Sequence, residues 1–137
     1  MEDVRPLRIV DIGDSCGMHL QYLKYLYKDI DTLSVNLDPE AIKRIKQKGM
    51  DAICARVEDM DLYSKGTDVC LSFEMLEHLS DPVNFLYRFS RKVKPKAFII
   101  TVPYVDTSRV GLRYIKNREP KDISAESVHI FELSPAD

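Results

Sequence analysis

The sequence predicts an α/β domain with a doubly wound, largely parallel sheet. Three observations carry that expectation. Short apolar runs alternate with helical stretches from residue 7 to residue 104. The runs are almost continuously apolar, as strands covered on both faces are. Two of the helical stretches open on the same Asp-Pro pair, at 38–39 and 81–82. A chain of 137 residues is enough for a single domain, 1–137, around one core.

Each element follows in order. "LRIVDI" (7–12) reads as a buried strand. "HLQYLKYLY" (19–27) places Leu20, Leu23 and Tyr27 on one helical face. "TLSVNL" (32–37) is the second strand. In 38–49 a helix has Asp38 as its N-cap, Pro39 in its first turn, Lys and Arg in later turns and Gly49 at its end. "DAICARV" (51–57) and "TDVCLSF" (67–73) are strands three and four. A short helix is expected at 74–79, then a longer one over 81–93 with Phe85, Leu86 and Phe89 facing inward. "AFIITVPY" (97–104) is strand five. Residues 105–128 are polar, and "VHIFELSP" (128–135) has only brief apolar content.

Charge and cysteine usage narrow the partners. Twenty basic and 22 acidic residues leave a net charge of -2. That balance gives no pull toward nucleic acid or an anionic membrane. "AFIITVPYV" is the longest uncharged apolar stretch and is far too short to span a bilayer. The charged N-terminus (Glu2, Asp3, Arg5, Arg8) lacks the apolar core of a signal peptide. Cys16, Cys54 and Cys70 are widely spaced, with no metal-ligand pattern. Reduced thiols, a cytoplasmic location and no assigned metal are the expectation.

The loop after strand one, "VDIGDSCGMH" (10–19), falls where such folds bind ligands. It does not match the GxGxxG spacing of a dinucleotide loop. Asp11 and Asp14 would set two carboxylates near a pyrophosphate, yet they suit a cationic ligand. That disfavours a nicotinamide-dependent oxidoreductase.

Five motifs in order then resemble the class I S-adenosylmethionine-dependent methyltransferases. The loop is similar to the family's motif I, an acid followed by alternate glycines, and reads Asp11-x-Gly13-x-Ser15-x-Gly17. "SVNLDPEAIKRIKQKG", "AICARVEDMDL", "TDVCLSFEMLEHLSDPVNFLYRFSRKVKPKAFIITVP" and "HIFELSP" resemble later family segments. The fourth-strand segment has the flavour of the ubiquinone-biosynthesis subgroup. The resemblance spans about residues 7–135 and implies a Rossmann-like methyltransferase fold of strand order 3-2-1-4-5, with S-adenosylmethionine as cofactor and a small-molecule substrate.

The resemblance also implies a set of site residues. Asp11, Gly13, Ser15 and Gly17 would form the cofactor loop. Ser15 replaces the middle glycine, at about 1–2 kcal/mol if that position needs φ > 0, unless the loop path shifts. Asn36, with Leu37 beside it, stands where an acid usually binds the ribose. Arg56 stands where an acid usually meets adenine, followed by Val57, with Glu58 able to substitute by a shift. Phe73 and Glu74 would lie at the methionyl end, and Met75 reads better as core. Two glycines of the turn into strand five are lost, at Lys96 and Ala97. His78 is a candidate base, or half of a Glu/His metal site with Glu77, or only orders its short helix. His129 is the second catalytic candidate, and His19 opens a helix near the loop. Arg109, Arg113, Lys116, Arg118 and Lys121 form a basic cluster, read either as recruiting an anionic substrate or as a solvated loop.

The family's sheet ordinarily has seven strands, and strands 6 and 7 look missing here. The expectation is a C-terminally truncated or minimal domain, or one whose apolar strand-five edge is covered by residues 105–135 or by a second copy in a homodimer. Two functions remain open: methyl transfer to a small molecule, or a catalytically inactive cofactor-binding or scaffold domain.

Overall fold

The computed structural model describes residues 5–62, 66–110 and 129–136. Its central strand is β1 (Leu7–Ile12), in which Ile9, Val10, Asp11 and Ile12 are buried in succession. A strand with four consecutive buried residues must be covered on both faces. It is also paired in parallel on both edges. β2 (Ile30–Asn36) sets Leu33 beside Val10, and β4 (Val69–Phe73) sets Cys70 beside Val10. β3 (Ala52–Cys54) adds outside β2, and β5 (Ala97–Thr101) outside β4. The sheet order is β3-β2-β1-β4-β5, as expected. The order reverses between β1 and β4, which opens a crevice at their carboxyl ends.

Two apolar layers clamp the sheet. On one face, Leu20 of α1 (Met18–Leu26), Ile42 and Ile45 of α2 (Pro39–Gln47) and Met50 pack with Ile9, Ala52 and Leu71. On the other, Phe85 and Phe89 of α3 (Pro82–Lys92) join Val10, Ile12, Leu33, Val35 and Cys70. Phe98 of β5 meets those two rings at 6.4 and 4.9 Å between centroids. Both Asp-Pro starts cap as the sequence predicts. The Asp38 carboxylate accepts from the Glu40 N–H at 2.9 Å, and the Asp81 carboxylate from the Asn84 N–H at 3.0 Å.

Several expectations are corrected. The third strand shrinks from 51–57 to Ala52–Cys54. After the Ala55 N–H bonds the Asn36 carbonyl at 3.1 Å, the chain turns into a 3-10 helix, Val57–Leu62, that buries Val57. Strand five ends at Thr101 rather than 104, because β4 offers no partner beyond Phe73, which lies opposite it. The helix at 74–79 is a single 3-10 turn, Leu76–His78. Tyr27 is not on the buried face of α1. It is the extended C-cap residue and points outward.

Beyond β5, two short strands pair antiparallel with each other: β6 (Arg109–Val110) and β7 (Phe131–Glu132). Among the described residues they do not extend the main sheet, and β5 pairs with β4 alone. β7 instead docks on the Leu76–His78 turn, where the Ile130 N–H meets the Glu77 carbonyl at 2.6 Å. The strand-five edge is therefore not covered by 105–110 or 129–136. Arg113, Lys116, Arg118 and Lys121 lie outside the described residues. No described helix is long and apolar enough to cross a membrane.

Asp68 fixes the other end of the sheet. Its buried carboxylate accepts the Arg8 N–H at 2.9 Å, two Arg5 guanidinium bonds at 2.7 and 3.0 Å, and faces the Lys96 ammonium at 3.0 Å. Its carbonyl accepts from the Lys96 and Ala97 N–H groups. One residue thus joins the starts of β1, β4 and β5. The Arg8 N–H, and then Arg5 and Lys96, hold its carboxyl well below the usual carboxylate range.

Asp68→Asn keeps one acceptor and loses the charge. Since Arg5 and Lys96 are themselves largely exposed, the expected loss is about 1–2 kcal/mol in urea unfolding at pH 7. A depressed folded-state pKa stabilises above the unfolded value of about 4 and that stability drains as pH falls below it. The gap between wild type and variant should therefore narrow at pH 3, and a constant gap would refute the assignment. Gly17, with φ +74, precedes α1, and a Cβ there would stand 2.4 Å from Met50 Cε and 3.2 Å from Ile45 Cγ1. Gly17→Ala combines left-handed strain with overpacking and should lower stability by about 2–4 kcal/mol, read as a fall in the urea midpoint at unchanged slope.

Candidate functional site

The site forms where β1 ends. The chain leaves the sheet through Gly13 at φ +86, whose N–H bonds the Val35 carbonyl of β2 at 2.8 Å. Asp14 then folds back, its Oδ1 accepting from the Gly17 N–H at 2.8 Å. The loop's two left-handed residues are both glycines, Gly13 and Gly17. Ser15 lies exposed between them without a positive φ. The missing middle glycine therefore brings no left-handed strain.

Neighbouring elements hold the loop. The Asn36 Nδ2 donates to the Asp14 carbonyl at 3.2 Å, and its Oδ1 accepts from the Asp38 N–H at 2.8 Å. Asn36 thus ties the loop to the start of α2, with both ends of its amide engaged. From the far end of α2, the Lys48 ammonium donates to the Cys16 carbonyl at 2.6 Å.

Beneath the loop lies a strained electrostatic arrangement. Asp11 is 1% exposed, and its Oδ2 lies 2.9 Å from His19 Nδ1. Asp14 Oδ1 lies 4.0 Å from the same nitrogen, and Asp14 Oδ2 is buried without a hydrogen-bond partner among the described residues. Burial, and then the Asp14 charge, push the Asp11 carboxyl up to about 7, against the opposing pull of His19. The His19 ring meets Phe73 edge-on at 4.8 Å. This buried pair of carboxylates favours a positive charge nearby and opposes a phosphate.

Over the carboxyl ends of the strands runs a cleft of about 390 Å³. Of the residues singled out in the sequence, Gly13, Asn36, Leu37, Arg56, Val57, Glu74 and His78 line it. Arg56 and Glu58 share one wall, with Nε and Oε2 3.6 Å apart. Asp11, Ser15, Gly17, Phe73 and His129 do not line it. Asp11 and Phe73 sit behind it against His19, Gly17 starts α1, and Ser15 faces solvent.

Sequence reasoning missed part of the wall. Met75, Leu79 and Ser80 line the cleft, and Asp38 does so while also capping α2. Met75 reads as core by composition, yet its Cγ would stand 3.2 Å from a Cβ at Gly13. Glu74 adopts φ +51, unusual for a non-glycine residue, and its N–H bonds the Thr101 carbonyl at 3.0 Å. No residue type there signals that turn. A last group stands at the cleft's rim. His78 faces His129 edge-on, ring centroids 4.8 Å apart, and His129 Nδ1 lies 2.6 Å from Glu132 Oε1. Arg109 pairs with the same Glu132 at 3.5 Å.

Comparisons with known proteins agree with this architecture. A family model described as a methyltransferase domain matches residues 10–101. No curated protein sequence matches the chain. Among solved structures, the chain is similar to the plantazolicin methyltransferase BpumL in complex with SAH, at TM-score 0.57 and 24% identity, over 64% of this chain and 35% of that one. It is similar to the Haloferax volcanii complex of the Trm112 methyltransferase activator with a methyltransferase, at TM-score 0.64 and 21% identity, over 77% and 49%. PKMT2 from Rickettsia typhi in complex with AdoHcy matches at TM-score 0.60 and 17% identity, over 78% and 21%. The chain thus spans about a fifth to a half of the length of these structures. A parallel sheet reversing at β1–β4, an acid-based loop at that reversal and a family model spanning most of the sheet lead to one conclusion: the chain belongs to the methyltransferase domain family.

Proposed function

We propose that this domain binds S-adenosylmethionine in the cleft and transfers its methyl group to a small-molecule nucleophile. The observation that carries the reading is the buried Asp11–Asp14 pair under a glycine-bounded loop at the strand reversal. S-adenosylmethionine carries an ammonium and a sulfonium and no phosphate. Its positive charges match the two carboxylates, Asp11 and Asp14, buried at that loop. Relatives of this fold crystallised with the demethylated product SAH support the same reading.

Methyl transfer is a direct displacement. The nucleophile's lone pair forms the bond to the methyl carbon as the carbon–sulfur bond breaks, and that electron pair returns to sulfur. The cofactor supplies both the reactive carbon and the leaving group. The protein's task is alignment, for which effective molarities reach about 10⁵–10⁸ M. Leu37 and Val57 offer apolar surface for the flat ring system, with Asn36 and Arg56 near its polar edges. Met75 and His78 stand on the part of the wall beside Glu74, where substrate approaches. In the metal-free chain His78 acts as base where the nucleophile must shed a proton.

Asn36 and Arg56 also favour a second reading, a domain that binds cofactor without turnover. Both ends of the Asn36 amide are engaged by backbone groups, and an arginine cannot accept from an adenine amino group.

A thermal-shift titration separates these readings. S-adenosylmethionine or SAH at 100 times its Kd should add about 2.7 kcal/mol of stability, and NAD should add nothing. A response to NAD alone would overturn the cofactor assignment. Binding of both sulfur ligands, with no SAH formed from S-adenosylmethionine across a panel of small hydroxyl, amine and thiol acceptors, would favour the non-catalytic reading. The same titration carries a pH signature. A cationic ligand favours the ionised form of Asp11, whose titratable neighbours are Asp14 and His19. Binding therefore releases a proton below about pH 7, so affinity should rise between pH 5.5 and 7 and level off above. A flat profile, measured by calorimetry, would detach the cofactor's charge from this pair.

A further inference from the structure

We propose that Glu77, His78 and His129 form a binding site for one divalent transition-metal ion of the zinc class. The side chain that demands an occupant is Glu77. It is 2% exposed, and neither carboxylate oxygen has a hydrogen-bond partner in any other described residue. A carboxylate removed from water is unfavourable unless a cation or donors compensate it.

Two imidazoles stand against this carboxylate. His78 is its neighbour on the same 3-10 turn. His129 comes from far along the chain, delivered by the bond from the Ile130 N–H to the Glu77 carbonyl at 2.6 Å. One donor atom from each of the three residues lies within 4.8 Å of the other two. Zinc holds nitrogen and oxygen donors at about 2.0–2.2 Å, so two donors on one ion stand at most about 4 Å apart. A side-chain adjustment of about 1 Å closes the set.

The donor chemistry selects the ion. Two imidazoles and one carboxylate suit zinc and its neighbours, whereas magnesium and calcium prefer oxygen alone. Three protein ligands leave a coordination position open, as in catalytic zinc sites. His78 also lines the cleft, so that position borders the space assigned to substrate.

The surroundings already orient one ligand. His129 Nδ1 lies 2.6 Å from Glu132 Oε1. A carboxylate only accepts, so the ring's proton sits on Nδ1 and Nε2 keeps its lone pair for a metal. Glu132 is held in turn by Arg109 at 3.5 Å, across the β6–β7 pair. The second cluster of similar composition, Asp11, Asp14 and His19, belongs to the cofactor loop, where Asp11 and His19 already bond each other. It provides the internal control.

The test is direct metal binding by the full chain, stripped with a chelator and studied without cofactor or substrate. Its outcome is therefore independent of methyl transfer. Titration with Co2+ should give one ion per chain with visible ligand-field bands, displaced by equimolar Zn2+. Glu77→Gln and His129→Asn should each weaken binding by more than about 100-fold. Glu132→Gln retains every ligand and should weaken it about 10–100-fold, which guards against misfolding of the ligand variants. His19→Asn should leave the site unchanged. Absence of stoichiometric binding would mean that Glu77 is balanced by its own proton or by a protonated histidine, and would overturn the proposal. So would binding that survives in Glu77→Gln and His129→Asn, or that is lost in His19→Asn.

Discussion

Everything in this fold depends on burying β1 on both faces and pairing it on both edges. A strand so placed has no free surface except at its ends. The chain must leave it at the carboxyl end, and the crossovers through α1 on one side and α3 on the other diverge there. The crevice between them is a consequence of topology and would exist whatever residues lined it. What the sequence adds is a loop that fits the crevice. Gly13 lets the chain turn while its N–H still reaches β2, and Gly17 lets α1 start against Met50 and Ile45.

Three buried carboxylates mark a gradient from structure to chemistry. Asp68 is saturated: a backbone N–H, a guanidinium and an ammonium converge on it at the amino end of the sheet, remote from the cleft. Asp11 is half satisfied, with one histidine in reach and a second carboxylate pressing on it. Glu77 has no hydrogen-bond partner on either oxygen in any other described residue. All three are equally hidden from water. Their difference lies in what the fold supplies around them, and the supply thins toward the ligand crevice. A carboxylate left short of partners is unfavourable to the free protein and favourable to whatever cation fills the place.

Much of this was legible in the sequence, and the reasons are local. Asp-Pro starts, apolar runs and a glycine-bounded loop act over a few residues, so β1, α2, α3 and the order of elements could be read directly. β3 and β5 came out too long in that reading because apolar composition continues after the hydrogen-bonding partner has ended. Val57 is apolar because it caps the core from a 3-10 turn, and its neighbours gave no sign of it. The site divides the same way. Asn36 and Arg56 were identified by position along the strands, yet their bonding depends on Asp14, Asp38 and Glu58, which no period reveals. Glu77 and His129 meet only because β7 docks on the turn that carries Glu77. A contact between segments so far apart leaves no spacing to detect.

The same distinction bears on how the departures from the family pattern should be weighed. A replaced glycine looks serious in a motif and proves harmless when the backbone at that position has an ordinary φ, as at Ser15. A replaced acid looks conservative, since asparagine has nearly the shape of aspartate. At Asn36 it is the larger change. Aspartate could accept from the Asp38 N–H but could not donate to the Asp14 carbonyl. The amide therefore exchanges acceptor capacity in the cleft for a bond that holds the loop over its buried carboxylates. Loop position and ligand contact here compete for one side chain. The demand placed on Asn36 explains why the loop can keep its shape around Asp11 and Asp14 with serine at its centre.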